Sequence, residues 1–268
     1  LTRRNFVLDR MVEEGYISPR AAAEAKAQPL GVVAGKKQRD VSASYFVDYV
    51  LQDLLQRYPK DQVFGGGLRV YTTLDLDLQR AAEEIARDER LVPVTFIDQK
   101  GVPQPQLAIV TLDPRTGDIL AMVGGRGEDD KFNRAVLATR QPGSAIKPFI
   151  WLAAVDRGMA TPATVIEDKP LEYTLPDGTL WKPENYDGKY LGPVTIRTAL
   201  EQSINMVAIQ LLERLTPGVV MGYMEKMGIT TLVKPPVEPN DRNLALALGG
   251  LTRGVTPLEL AAAYGALA

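Results

Sequence analysis

Apolar positions recur at helical spacing in several short stretches and alternate in others. Residues 6–15 and 19–27 read as two short helices joined by "GYIS", with Ser18 as N-cap and Pro19 at the first helical position. From residue 29 to 39 the periodicity disappears, and the segment reads as a linker. Phe46, Tyr49, Val50 and Leu54 then fall on one helical face, predicting an amphipathic helix over 45–58. Gly65-Gly66-Gly67 reads as a hinge or tight turn, because no Lys-Ser/Thr follows to make a phosphate cradle. Residues 68–75, "LRVYTTLD", alternate like a strand, and 77–90 read as a helix. In 107–125 two runs rich in Ile, Val and Leu flank Asp113-Pro114 and Thr116-Gly117, which predicts a hairpin. A loop over 181–188 precedes helical segments at 195–203 and 206–215. Residues 244–268 read as helix, glycine-rich loop and helix, the last with Thr256 as N-cap and Pro257 at its first position. No internal repeat is visible. The fold class that follows is mixed helix and strand with few strands.

Composition narrows the chemistry more than the fold. The 268 residues fit one large domain or two modest ones, and a net charge of −2 gives no nucleic-acid footprint. With no cysteine there is no disulfide framework and no thiolate metal site. With no histidine there is no Ser-His-Asp triad, no histidine-bound zinc and no imidazole base. A serine enzyme of this composition needs a lysine or a carboxylate as its base. The acidic run Glu128-Asp129-Asp130 reads as a solvated loop, and no metal or cofactor site is expected. No apolar run approaches the ~20 residues of a membrane span, and no signal peptide is present. Both ends fall inside helix-like patterns and look cut.

One stretch raises a chemical question: "RQPGSAIKPFIWLAAV", residues 140–155. Taking Gly143 or Ser144 as a helix start puts Lys147 on the same face as Ser144 and within reach of its hydroxyl. The helix terminus offers unpaired N–H groups, that of Ser144 included, and a partial positive charge. Such a place favours a developing oxyanion and disfavours a protonated lysine. Pro148 lies where a missing N–H costs little. The following apolar run predicts burial, and a neutral Lys147 there could take the Ser144 proton. A capped helix with a snorkelling lysine is the plainer explanation of Ser-x-x-Lys alone. The chain, however, has only five serines, and Ser203-Ile204-Asn205 brings a second hydroxyl and a carboxamide to the junction of two helical segments.

Ser-x-x-Lys followed by Ser-x-Asn belongs to the motif set of penicillin-binding proteins and serine β-lactamases. "FNRAVLATRQPGSAIKPF", "PENYDGKYLGPVTIRTALEQSINMVAIQLL", "GVTPLELAAAYGALA", "LRVYTTLDLDLQRAAEE" and the "LDPRTGDILAMVGG" hairpin all resemble class A penicillin-binding proteins, the bifunctional cell-wall synthases. The resemblance covers nearly the whole chain. It implies an α+β transpeptidase fold of the serine β-lactamase type, an antiparallel sheet flanked by helices, incomplete here. Residues 1–30 are similar to the tail of the family's glycosyltransferase domain, 31–67 to its interdomain linker, and 68–268 to the first part of its transpeptidase domain. By that resemblance Ser144 would attack the carbonyl between two D-alanines of a peptidoglycan stem peptide, and Lys147 would accept its proton. Ser203 would relay a proton to the departing D-alanine. Asn205 would bind the substrate backbone and orient Lys147. An amine from a neighbouring stem would resolve the acyl-enzyme as a cross-link, and a β-lactam would acylate the same serine. The parent protein would work on the outer face of the bacterial cell membrane, anchored through a segment absent from this chain, with other cell-wall synthesis proteins as candidate partners and no cofactor.

The family's third motif, Lys-Thr/Ser-Gly, occurs nowhere in the sequence, and Thr252-Arg253-Gly254 precedes a helix and is no substitute. The glycosyltransferase's catalytic glutamates are not recognisable either. Residues 1–268 are therefore expected to be a piece, not an autonomous catalyst. With so little sheet to pack on, the hairpin and the 149–155 helix are expected to expose apolar side chains. A DD-carboxypeptidase, a β-lactamase and a non-catalytic penicillin-binding sensor or scaffold remain alternative readings.

Overall fold

The computed structural model describes residues 2–30, 43–99, 101–126, 130–175 and 177–268. Two compact units divide between Ser42 and Ala43. In the first, α1 (Thr2–Glu13) and α2 (Pro19–Ala27) form a helical hairpin. Ser18 Oγ accepts from the Ala21 N–H at 3.2 Å, as an N-cap before proline should. At the other end of α2, the Arg4 guanidinium donates to the Lys26 and Gln28 carbonyls at 2.8 and 2.7 Å, groups that a helix end leaves without partners. Residues 31–42 of the expected linker lie outside the described residues. The rest of that stretch belongs to the second unit, as α3 (Ser44–Arg57) and α4 (Lys60–Gly65). The glycine run ends α4.

Residues 68–75 do not form the strand that their alternation predicts. Among the described residues their hydrogen bonds to the hairpin come at the far end, where Thr73 Oγ1 and the Asp75 N–H donate to the carbonyls of Ile119 and Leu120. Tyr71, with no ladder to join, is 88 % exposed. Asp75 then caps α5 (Leu76–Arg87), accepting from the N–H groups of Asp77 and Leu78 at 2.9 and 3.0 Å. A two-residue ladder, β1 (Phe96–Ile97) with β2 (Pro103–Gln104), precedes the main hairpin of β3 (Ile109–Leu112) and β4 (Ile119–Val123). The hairpin turn closes as its residues predict. Asp113 takes the Gly117 N–H on its carbonyl and the Arg115 N–H on its carboxylate, each at 2.8 Å, and Gly117 supplies φ +78°.

Alternation along β4 sorts its side chains to two partners. Ala121 and Val123, with Ile109 of β3, meet Ala82 and Ala86 of α5. Met122, with Val110, meets Phe46, Tyr49 and Val50 of α3. Residues 121–123 are buried and β3 is half-buried, so the hairpin is better covered than expected.

After the short α6 (Arg134–Leu137), a 3₁₀ turn (Gly143–Ile146) runs into α7 (Lys147–Asp156). Next come β5 (Val165–Asp168), β6 (Tyr173–Thr174), β7 (Leu180–Trp181) and β8 (Gly192–Thr195). The pairs β5–β8 and β6–β7 are antiparallel, like those before them. The chain continues with α8 (Ile196–Glu201), α9 (Asn205–Leu215), α10 (Pro217–Lys226), a 3₁₀ turn (Leu244–Leu248) and α11 (Pro257–Gly265). Thr256 and Glu259 form a capping box that starts α11.

The expected exposure of the 149–155 helix holds only at its end, where Val155 is 46 % exposed. Phe149, Ile150, Ala153 and Ala154 have no exposed surface. Helices cover α7 where sheet was thought necessary: Val207, Leu211 and Leu212 of α9, Val220 and Met224 of α10, and Leu246 share one core with it. A helix apolar on all sides needs such a surround, and each fully buried Ile or Phe contributes about 1.5–3 kcal/mol.

Candidate active site

The helical core positions the residues that carry chemistry. Ser144 lies in the 3₁₀ turn at the mouth of α7, and its side of the turn is exposed. Lys147 opens α7 and is 1 % exposed. A turn built of "GSAI" winds tighter than an α-helix, and Gly143 enters it at φ +55°, a backbone favourable to glycine.

A loop from behind fixes that turn. The Leu251 N–H donates to Gln141 Oε1 at 2.6 Å, and Gln141 Nε2 returns a bond to the Leu251 carbonyl. Arg140 and Val255 pair by reciprocal backbone bonds at 2.9 Å. Gly249, at φ +74°, lies so close to Gly143 that a Cβ there would stand 2.3 Å from the Gly143 carbonyl oxygen. From α11, the Tyr264 hydroxyl donates to the Ala145 carbonyl at 2.8 Å, and its ring meets Phe149 edge-on at 5.6 Å.

Ser203 stands between α8 and α9 with φ +54°. The Ile204 N–H bonds back to the Ala199 carbonyl and the Ser203 N–H to that of Leu200, at 2.9 and 3.0 Å. That pattern is a Schellman C-cap, with serine in the left-handed position that glycine usually fills. The conformation costs a serine about 1–2 kcal/mol. In exchange, both oxygens of Ser203 turn toward the lysine.

Lys147 Nζ donates to the Ser203 carbonyl, to Ser203 Oγ at 3.1 Å and to Asn205 Oδ1 at 2.6 Å. No carboxylate pairs with it among the described residues. Burial without a counter-charge pushes its pKa down from 10.5 to about 8. That shift raises the fraction of neutral amine near pH 7. Asn205 begins α9, and its Nδ2 donates to the Glu184 carbonyl at 2.7 Å. A cavity of about 270 Å³ opens beside Ser203, lined among others by Asn185, Tyr186, Lys189 and Gln202.

Lys147, Ser203 and Asn205 thus stand together. Ser144 lies one turn before Lys147, and its hydroxyl bonds to no described residue, Lys147 included. The reason is occupancy: three oxygens of the 203–205 segment surround Nζ. The Ser144 N–H is also unspent among the described backbone bonds. An exposed hydroxyl with a free N–H, beside a buried amine, can be deprotonated while the N–H receives a developing oxyanion. The residues that sequence reasoning missed are Gln141, Asn185, Gly249 and Tyr264. Only Gly249 gave a signal, in its Gly-Gly pair. Of the acidic run, Glu128 and Asp129 lie outside the described residues, and Asp130 pairs with Arg134. No helix among the described residues is long and apolar enough to cross a membrane.

Residues 107–268 match the family described as penicillin binding protein transpeptidase domain. Penicillin-binding protein 1A of Aquifex aeolicus is 32 % identical over 98 % of this chain and 45 % of its own length. That of Clostridium acetobutylicum is 33 % identical over 87 % of this chain and 29 % of its own. This chain therefore spans less than half the length of these relatives. Among solved structures, penicillin-binding protein 1A from Haemophilus influenzae superposes with a TM-score of 0.72 at 25 % identity, covering 98 % of this chain and 51 % of that one. PonA1 from Mycobacterium tuberculosis in complex with penicillin V superposes at 0.69, also at 25 % identity, over 84 % of this chain and 58 % of that one.

Proposed function

The chain belongs to the class A penicillin-binding proteins, and from that premise we propose that it contributes the acylating half of a peptidoglycan DD-transpeptidase site. The observation that carries the reading is Lys147: an amine 1 % exposed, with its pKa lowered to about 8, one turn after an exposed serine. Three donations belong to the ammonium form; in this mechanism the neutral amine keeps two, to the Ser203 carbonyl and Asn205 Oδ1, and with its lone pair takes the proton of Ser144 Oγ. The oxygen bonds to the carbonyl carbon between two D-alanines of a stem peptide. The Ser144 N–H donates to the resulting oxyanion.

Collapse of the tetrahedral intermediate breaks the C–N bond, and the leaving D-alanine nitrogen needs a proton. Lys147 holds the one it took, and Ser203 Oγ, 3.1 Å from Nζ, passes a proton on. Asn205 receives an N–H of Nζ and keeps the amine beside Ser203. A second stem's amine then attacks the ester carbonyl, frees Ser144 and leaves a cross-link. A β-lactam opens on the same serine and has no leaving group to depart. In the whole protein, we assign residues 1–30 to the end of a glycosyltransferase domain, 31–67 to the interdomain region and 68–268 to the start of the transpeptidase domain. Its place is the outer face of the bacterial membrane, where the cross-linked substrate lies.

Intact-mass analysis after penicillin treatment of the full-length protein tests this reading. The wild type should gain one penicillin on the peptide containing Ser144, and Ser144→Ala should gain none while keeping its circular dichroism. Undiminished labelling of Ser144→Ala would overturn the assignment.

A further inference from the structure

Two groups of the 184–185 loop hold Asn205, and neither belongs to the Ser-x-x-Lys or Ser-x-Asn motif. α9 starts after Ile204, which has no side-chain oxygen to cap it. Its first N–H groups go elsewhere: Asn185 Oδ1 accepts from the Asn205 N–H at 2.9 Å and the Met206 N–H at 3.4 Å. On its other side, Asn185 Nδ2 donates to Asp168 Oδ1 and to the Lys189 carbonyl, each at 2.8 Å. Both donors and both acceptor sites of this amide are in use, which fixes its orientation. Asp168 is 1 % exposed, and its second oxygen accepts from the Leu191 N–H at 2.9 Å. It sits at the end of β5, opposite Gly192 of β8. The carboxylate thus joins the two ends of the 169–191 loop to the residue that caps α9. One residue before Asn185, the Glu184 carbonyl takes Asn205 Nδ2, which leaves Asn205 Oδ1 for Lys147.

We propose that Asn185, braced by the buried Asp168, is a positioning residue for acyl transfer: it seats the start of α9 so that Asn205 presents its oxygen to Lys147. The inference rests on the acyl-transfer reading above. Asn185 lies 20 residues from Asn205 in sequence and acts only through it. Without the cap, two N–H groups of α9 lose their acceptor, and the 184–185 loop is free to withdraw the Glu184 carbonyl. Asn205 can then turn its amide NH₂ toward Nζ and push the amine out of the place it holds against Ser203 and Asn205. Displacements of about 1 Å cost on the order of 100-fold in rate.

The test uses the full-length protein and a fluorescent penicillin in stopped flow, separating the non-covalent dissociation constant from the first-order acylation constant. Ser144→Ala is run beside the wild type. A wild type that is not labelled, or labelling that survives Ser144→Ala, overturns the acyl-transfer reading and this inference with it. With that control in order, Asn185→Ala should slow acylation on the order of 100-fold with the dissociation constant unchanged. Acylation at the wild-type rate overturns the inference and leaves the acyl-transfer reading standing.

A second arm guards against a variant that merely loosens the loop. Asn185→Asp keeps an acceptor for α9 but sets a carboxylate against Asp168 and against the Lys189 carbonyl, and the second clash is common to both variants compared. Asp168→Asn alone gives the site one acceptor too few. Together they restore a donor–acceptor pair with its direction reversed, so the double variant should acylate at least about tenfold faster than Asn185→Asp. A double variant no faster than Asn185→Asp overturns the inference.

Discussion

The first turns of α7 are enclosed by other helices, whereas at Met122 of β4 a polar side chain completes the edge of the sheet. Phe149, Ile150 and Ala153 owe their position to apolar contact with α9, α10 and the 244–248 turn. The outer edge of β4 has no strand beside it at Met122. Instead Gln79 of α5, 1 % exposed, accepts the Met122 N–H at 2.8 Å and donates to the Met122 carbonyl at 3.1 Å. One amide does there what a neighbouring strand would do. The two regions show two ways of holding position. Close packing resists displacement in all directions and suits the turn carrying Ser144 and Lys147. A directed hydrogen-bond pair closes an edge and leaves the chemistry alone. Between them the 203–206 segment uses both, with Ile204 and Met206 in the core and polar groups aimed at Lys147.

If the packed region exists to hold a neutral amine, the largest effect comes from changing the amine. Lys147→Arg keeps a cation but cannot act as a base. It should lose acylation about as fully as Lys147→Ala, on the order of 10²–10⁴-fold, when labelling rates are measured with a fluorescent penicillin. An arginine variant near the wild-type rate would mean that charge, not basicity, matters.

A smaller effect follows from crowding the back of the nucleophile turn. Gly249→Ala combines a positive φ with a methyl 2.3 Å from the Gly143 oxygen. Chemical denaturation should show a loss of roughly 1–3 kcal/mol, with slower acylation in the fraction that remains folded. Acylation at the wild-type rate would show that the turn tolerates movement.

Gln79→Ala sharpens the comparison from the other side. It strips a buried N–H and C=O of their partner, which costs about 1–3 kcal/mol, yet it touches nothing near Lys147. Stability should fall while the acylation constant of folded protein stays the same. A matching fall in acylation would mean that the hairpin edge and the site are one mechanical unit.

Much of this was legible where the signal is local. Ser18 before Pro19, Thr256 before Pro257 and the Asp113–Gly117 turn are each decided within five residues, and the structure has them as written. Burial around Lys147 followed from the apolar run after it, although the covering came from helices and not from sheet. The strand expected over 68–75 failed because alternation reports a face and not a partner. Asn185 was illegible for a related reason. An asparagine in a loop between Glu184 and Tyr186 looks like any turn residue, and only the tertiary fold brings it to the helix start at Asn205. Spacing puts Lys147 within reach of the Ser144 hydroxyl, but it cannot count the oxygens that other segments bring to the amine.

The central claim is that Lys147 works as a neutral base, and the pH dependence of acylation tests it most directly. The lysine's pKa is lowered, so the neutral form is scarce below about pH 8 and dominant above it. The first-order acylation constant of the full-length protein, measured with penicillin between pH 6 and 10, should rise with unit slope and level off near pH 8. A constant that is flat across that range, or still climbing toward the ordinary lysine value of 10.5, would contradict the account.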